Sequence, residues 1–208
     1  MWFKKHWSSL LLLAILLAGL GLLGYPTFAD WWNSFHQSRA IAGYAEKVSQ
    51  IDDADYEKLL DEARAYNKEL LERGDGRFNM TDEEREKYNS LLNIDGSGIM
   101  GYVEIPKINV SLPIYHGTDE AVLQIAVGHI EGSSLPVGGE GTHCVISGHR
   151  GLPSAKLFTD LDQLQEGDIA QITVLDETLT YENLELRVIS MDGLRVERIA
   201  VRINSQEA

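Results

Sequence analysis

The chain has 208 residues, room for one domain of roughly 100–150 residues plus attachments. Asp and Glu number 32 against 18 Lys and Arg, a formal charge of −14 that repels nucleic-acid phosphates and argues against such a partner. A single cysteine excludes any disulfide within the chain, and with it a stapled secreted scaffold.

The N-terminus carries Lys4 and Lys5, then "LLLLAILLAGLGLLG", with no charge from Trp7 to Ala29. That run exceeds the ~20 residues a helix needs to cross a bilayer. Positive charge before it and Asp30 after it predict an inside N-terminus and an outside body. Tyr25, Trp31 and Trp32 fall where amphipathic rings settle, at the outer headgroups. The competing reading is a cleaved signal peptide with "TFA" as a poor small-residue site. Both readings put the remainder outside the cytoplasm.

Residues 34–72 read as helix, broken or kinked near "SQIDDAD", with Tyr56, Leu59, Leu60, Ala63, Tyr66 and Leu70 on one stripe. Gly74 and Gly76 end it, and Thr81 with Glu84 three residues on predicts a capping box opening a short helix. This stretch reads as a spacer or arm holding the domain off the membrane. From Gly98 the pattern becomes β: "GIMGYVEIPKINVSLPIYHG" gives two strands parted around Pro106 and Asn109. "TDEAVLQIAVGHI" reads as a short capped helix, "SSLPVGGEG" as a loop, and "THCVISGH", "DIAQITVL" and "LTYENLELRVI" as strands. The predicted fold class is mainly β, a barrel or sandwich of short strands with small helical inserts.

The stretch "HCVISGHRGLPSAKLF" gathers the reactive residues. Cys144 and His149 are five apart, so on one strand they face opposite sides with Cα atoms ~16 Å apart, and they do not form a dyad. Cys144 reads as a small buried hydrophobe. His149 ends the apolar run between Gly148 and Gly151, a placement suited to general acid–base work. A satisfied structural histidine fits the same spacing. His116, His129, His143 and His149 show no HExxH-type spacing, so no metal is expected, and no cofactor. Asp119, Glu120, Asp160 and Asp162 read as solvated caps and turns.

Four long motifs, "GYVEIPKI", "LPIYHGT", "EGSSLPVGG" and "SGHRGLPSAKLF", resemble the sortases, most closely the class C, pilin-assembling ones of Gram-positive bacteria, over residues 98–182. The resemblance implies a sortase-type β-barrel over residues 98–208, behind a membrane or signal segment (1–29) and a helical arm and lid region (30–97). It implies a membrane-bound cysteine transpeptidase that cleaves LPxTG-like sorting signals, stores the acyl group as a thioester and passes it to a pilin lysine. His149 occupies the catalytic position of the family's "GHRG" motif. Class C lids carry an Asp-Pro-aromatic group; the corresponding region "GDGRFNMTDEE" has no Asp-Pro and offers Phe78 as its candidate, a flexible linker being the other reading of the same stretch. The family's Thr-Leu-x-Thr-Cys motif and its arginine are not found. Arg187, Arg195, Arg198 and Arg202 match no motif, and Arg150 belongs to a different element from the family arginine. The sequence reading after residue 182 is therefore of a truncated or divergent catalytic half: an inactive sortase, or a non-catalytic, membrane-tethered remnant that binds sorting signals. Pilin or surface proteins would be the partners, at the cell membrane with a single-pass anchor.

Overall fold

A computed structural model describes residues 2–181, 184–192 and 195–203. Its first element is one helix, α1 (Trp2–Val48), long and apolar enough in its first half to cross a membrane. The sequence reading began the arm helix near residue 34, but no break separates it from the apolar segment. Residues 49–52 turn the chain, the interruption expected at "SQIDDAD", and α2 (Asp53–Arg73) begins with the Asp52 side chain accepting from the Asp55 amide at 2.9 Å. Leu60, Ala63, Tyr66 and Leu70 are buried along α2, with Tyr56 and Leu59 packed at the edge of the core, so the expected stripe is the one that docks. Gly74 ends α2 at a positive φ of 58°, which its missing Cβ permits. After a 3-10 turn (Gly74–Phe78), α3 (Asp82–Ser90) carries the full capping box: Thr81 Oγ1 accepts from Glu84 N, and Glu84 Oε2 accepts from Thr81 N.

The β region opens with β1 (Ile99–Ile105) and β2 (Val110–His116), parted by a 3-10 turn at Pro106–Ile108 and a left-handed Asn109, where the sequence placed the break. The segment read as one capped helix divides in two. Only Glu120–Leu123 is helical (α4), with no side-chain cap bond, and Val127–His129 is a strand, β3. The β-branched end of "AVGHI" pairs in parallel with β2 from Ile114 to His116, and that pairing outcompetes one more helical turn. "THCVISGH" also shrinks: only Ile146–Ser147 is regular strand, β4, antiparallel to β3. β5 (Ala170–Val174) and β6 (Glu177–Tyr181) complete a six-stranded sheet in the order β4-β3-β2-β1-β5-β6. β7 (Leu184–Asp192) and β8 (Arg195–Ile203) form an antiparallel hairpin whose second strand lies against β4. "LTYENLELRVI" thus contributes to two strands, not one.

Two buried polar pins join the helices to the sheet. Tyr44 of α1 donates to the Met100 carbonyl at 3.0 Å and accepts from the Leu175 amide at 2.8 Å, tying the helix to β1 and to the end of β5. On the other side, the Tyr88 hydroxyl of α3 meets His129 Nδ1 at 2.9 Å and accepts from the Gly117 amide at 3.1 Å. His129 Nε2 faces the Ser134 carbonyl at 2.8 Å, which fixes the proton on Nε2 and makes Nδ1 the acceptor from Tyr88. Full burial pushes the His129 imidazole down to about 4, so it is neutral.

Tyr44→Phe should leave the Leu175 amide and the Met100 carbonyl without that partner and cost about 1–3 kcal/mol, read as a lower urea midpoint with unchanged slope. His129 sets a second expectation. Unfolded, its imidazole takes a proton below 6.5; folded, it stays neutral to about 4. Between these values the unfolded chain holds the extra proton, so stability is full above pH 6.5 and falls by up to about 3 kcal/mol as the pH drops towards 4. Urea midpoints at pH 7 and pH 5 check this, and equal midpoints would mean that His129 is charged inside the fold.

Candidate functional site at the end of the fourth strand

His149 follows β4 by two residues, separated from it by Gly148. A Cβ on Gly148 would stand 2.8 Å from both Phe158 Cδ2 and Val127 Cγ1, so only glycine lets the chain pass between β3 and the buried Phe158 ring. The segment after His149 is a closed loop. Phe158 N donates to the His149 carbonyl at 3.2 Å, and Arg150 bridges to Leu157. The Thr159 hydroxyl accepts from the Gly151 amide at 3.0 Å, holding the turn at positive-φ Gly151. These contacts fix the backbone on both sides of the histidine.

The His149 ring is partly buried, and its Nε2 is shielded from solvent with no hydrogen-bond partner among the described residues. In this it differs from His129 and His116, whose ring nitrogens all have partners. His129 spends both nitrogens on Tyr88 and Ser134. His116 has Nδ1 2.9 Å from the Gly98 carbonyl and Nε2 2.8 Å from the Leu91 carbonyl. Both therefore serve the scaffold.

Arg150 does not turn towards a reacting centre of its own. Its guanidinium pairs with Asp162 Oδ2 at 2.8 Å; Asp162 is exposed in the 3-10 turn Leu161–Gln163, the solvated turn residue expected from sequence, and carries this ion pair as well. Cys144 is 6% exposed and packs in the hydrophobic core. It lies in the irregular segment before β4, so the strand-parity argument that separated it from His149 loses its strand, while its reading as a buried hydrophobe stands. Burial pushes its thiol up to about 12.

Phe78 ends the 3-10 turn between α2 and α3 and is 56% exposed. Arg77 lies over its ring at 5.0 Å, and Gly132 of the "EGSSLP" loop packs directly beneath: a Cβ there would meet Phe78 Cδ1 and the Arg77 carbonyl at 2.7 Å. The turn is thus seated on the loop that joins β3 to β4. The side chains of Arg187, Arg195, Arg198 and Arg202 lie outside the described part of the structure, as do residues 182 and 183, where the legible motifs stop. Among the described residues no group of three or more His, Cys, Asp or Glu is placed to hold a metal ion.

The sortase domain model matches residues 103–206, continuing well past residue 182. Sortase D of Bacillus subtilis (strain 168) is 32% identical over 156 residues, which is 75% of this chain and 74% of that protein. Sortase C1 of Streptococcus agalactiae superposes with a TM-score of 0.71 at 42% identity, covering 81% of this chain and all (100%) of that one. Sortase C of Streptococcus pneumoniae gives 0.64 at 33% identity over 82% of this chain and 99% of that one. Sortase C of Clostridium perfringens, solved with the C-terminal cell wall sorting motif, gives 0.63 at 34% identity over 82% of this chain and 100% of that one. A matching domain model, a relative covered over most of its length and structural neighbours aligned end to end agree with the sheet order and the closed histidine loop: the chain belongs to the sortase family, among the class C sortases.

Proposed function

We propose that the chain is a membrane-tethered class C sortase-type protein that recognises LPxTG-like sorting signals of pilin or surface proteins, and that it does not itself complete the transpeptidation. The family reaction needs three parts: a thiolate to attack the carbonyl of the scissile peptide, an acid to protonate the departing amine, and a cation to steady the oxyanion. A second amine, a pilin lysine, then takes the acyl group from the thioester. His149 is the acid in this reading, supported by its unpartnered Nε2 at the end of β4.

The observation that carries the proposal is the state of the thiol. The sequence holds one cysteine, and Cys144 is packed in the core with its ionisation pushed up to about 12. At neutral pH that leaves roughly one thiolate in 10⁵ molecules, in a place no peptide reaches. Arg150 is spent on Asp162 and offers no oxyanion contact. The turn Gly74–Phe78, seated on Gly132, acts as the lid region, with Phe78 as its aromatic group. The three-part organisation follows the sequence reading: residues 1–29 anchor the chain in a single pass, 30–97 form arm and lid, and 98–208 form the sortase domain on the outer side. The Clostridium perfringens relative, solved with its sorting motif, supports a peptide as ligand.

The test uses the full chain in lipid nanodiscs with a fluorescent LPxTG-containing peptide and a lysine-bearing acceptor. Saturable binding is expected, with no cleaved product and no acyl adduct by mass spectrometry. His149→Ala should weaken that binding roughly two- to tenfold, one hydrogen bond's worth. An adduct on Cys144, or the absence of binding, would overturn the proposal. Independently, iodoacetamide should leave Cys144 unmodified in the native protein and alkylate it fully in urea, as measured by intact mass.

A further inference from the structure

The geometry points to a surface formed jointly by α1 and the loop after His149 that seats in the outer lipid headgroups, holding the histidine end of the sheet against the membrane. This rests on the reading of α1 as a membrane span.

Two hydrogen bonds cross from the helix to the loop. Asn33 Nδ2 donates to the Ser154 carbonyl at 2.8 Å, and the Lys156 amide donates to Asp30 Oδ1 at 2.8 Å. The uncharged run ends at Ala29. At 1.5 Å per residue, Asp30 and Asn33 stand within ~6 Å of that point along the axis. The polar zone of a bilayer leaflet is ~5–7 Å deep, the difference between its full and hydrocarbon thickness shared between two faces. The loop is therefore attached at headgroup depth.

The aromatic residues support the same placement. Tyr25, Phe28, Trp31, Trp32 and Phe35 are 56%, 60%, 59%, 50% and 49% exposed, bracketing the two hydrogen bonds along the helix. Rings of this size left open to water are costly, whereas Trp and Tyr are favoured at the membrane interface. Tyr25, Phe28, Ala29, Trp32, Asn33 and Ser154 line a cleft of about 330 Å³ between helix and loop, large enough for part of a lipid chain or its glycerol. Exposed Lys156, beside the Asp30 contact, supplies a cation for lipid phosphates on an otherwise acidic protein.

The loop cannot drift from the histidine. The Phe158–His149 hydrogen bond and the Arg150–Leu157 bridge close it, and five residues of chain, at most ~17 Å, separate His149 from Ser154. A peptide that reaches His149 must therefore approach close to the plane of the membrane.

Nitroxide labels on single introduced cysteines test this in the full chain reconstituted into phosphatidylcholine–phosphatidylglycerol vesicles. Pro153→Cys reports the exposed loop tip, Leu17→Cys the middle of the span, and Gln50→Cys the far end of α1, ~30 Å from Asp30. Collision with oxygen against a water-soluble nickel complex measures depth. The Pro153 label should show an oxygen-to-nickel ratio several-fold above that of the Gln50 label and below that of the Leu17 label. A Pro153 label as aqueous as the Gln50 label, with Leu17 in hydrocarbon, would overturn the surface and leave the span standing. An aqueous Leu17 label would refute the span and the surface together.

Discussion

The Tyr88 hydroxyl joins α3, the turn after β2 and the end of β3 at one buried point. It belongs to α3, accepts from the amide of Gly117 just after β2, and donates to His129 at the end of β3. His129 in turn holds the Ser134 carbonyl, and Ser133 Oγ accepts from the Val145 amide at 3.2 Å while donating to the Ile130 carbonyl at 2.7 Å. These bonds pin both ends of the long connection from β3 to β4, and β4 is only two residues long. A two-residue strand has too few ladder bonds to fix its own register. The position of His149 therefore depends on this buried polar network and on the tight passage at Gly148. Neutral His129 is a condition for it, because a charged ring would have to replace its acceptor nitrogen with a donor facing the Tyr88 hydroxyl.

Much of the arm was legible in the sequence because its signals are local. The Thr81–Glu84 capping box, the Gly74 stop, the α2 stripe and the Asn109 turn each depend on residues within one or two turns, and each is found where the letters place it. The β region was legible as a class but not strand by strand. "AVGHI" pairs with β2 across sequence, "THCVISGH" is held by Ser133 and Ser134 side chains as well as by backbone bonds to the β3–β4 connection, and "LTYENLELRVI" divides between two hairpins. Long-range pairing leaves no local trace, so alternation alone merges or splits such strands.

The site shows the same division. His149 was singled out by its bracketing glycines and the family motif, both local signals. Gly148 owes its place to Phe158 and Val127, and the seat of Phe78 to Gly132, contacts 10 to roughly 50 residues apart that no spacing rule reaches. The Arg150–Asp162 pair was likewise invisible, since an acidic residue in a turn reads as solvated by default.

The α1 helix does more than carry an apolar run. Beyond that run its inward face carries Asn33, Gln37, Ala40, Tyr44 and Val48, a spacing of three and four residues that keeps one stripe against the sheet. Gln37 Nε2 donates to the Ile125 carbonyl at 2.7 Å, Asn33 holds the loop after His149, and Tyr44 holds β1 and the end of β5. Polar bonds at 33, 37 and 44 fix rotation about the helix axis, which apolar packing alone would allow to slip. An anchor with a flexible linker lets its domain sample many orientations; one continuous with a docked helix transmits its tilt and rotation to the whole sheet. In the proposed membrane-spanning arrangement, the side chains that hold the fold together would also orient His149 towards the lipid, so substitutions at Asn33 or Gln37 should alter how the domain faces the lipid before they alter how well it folds.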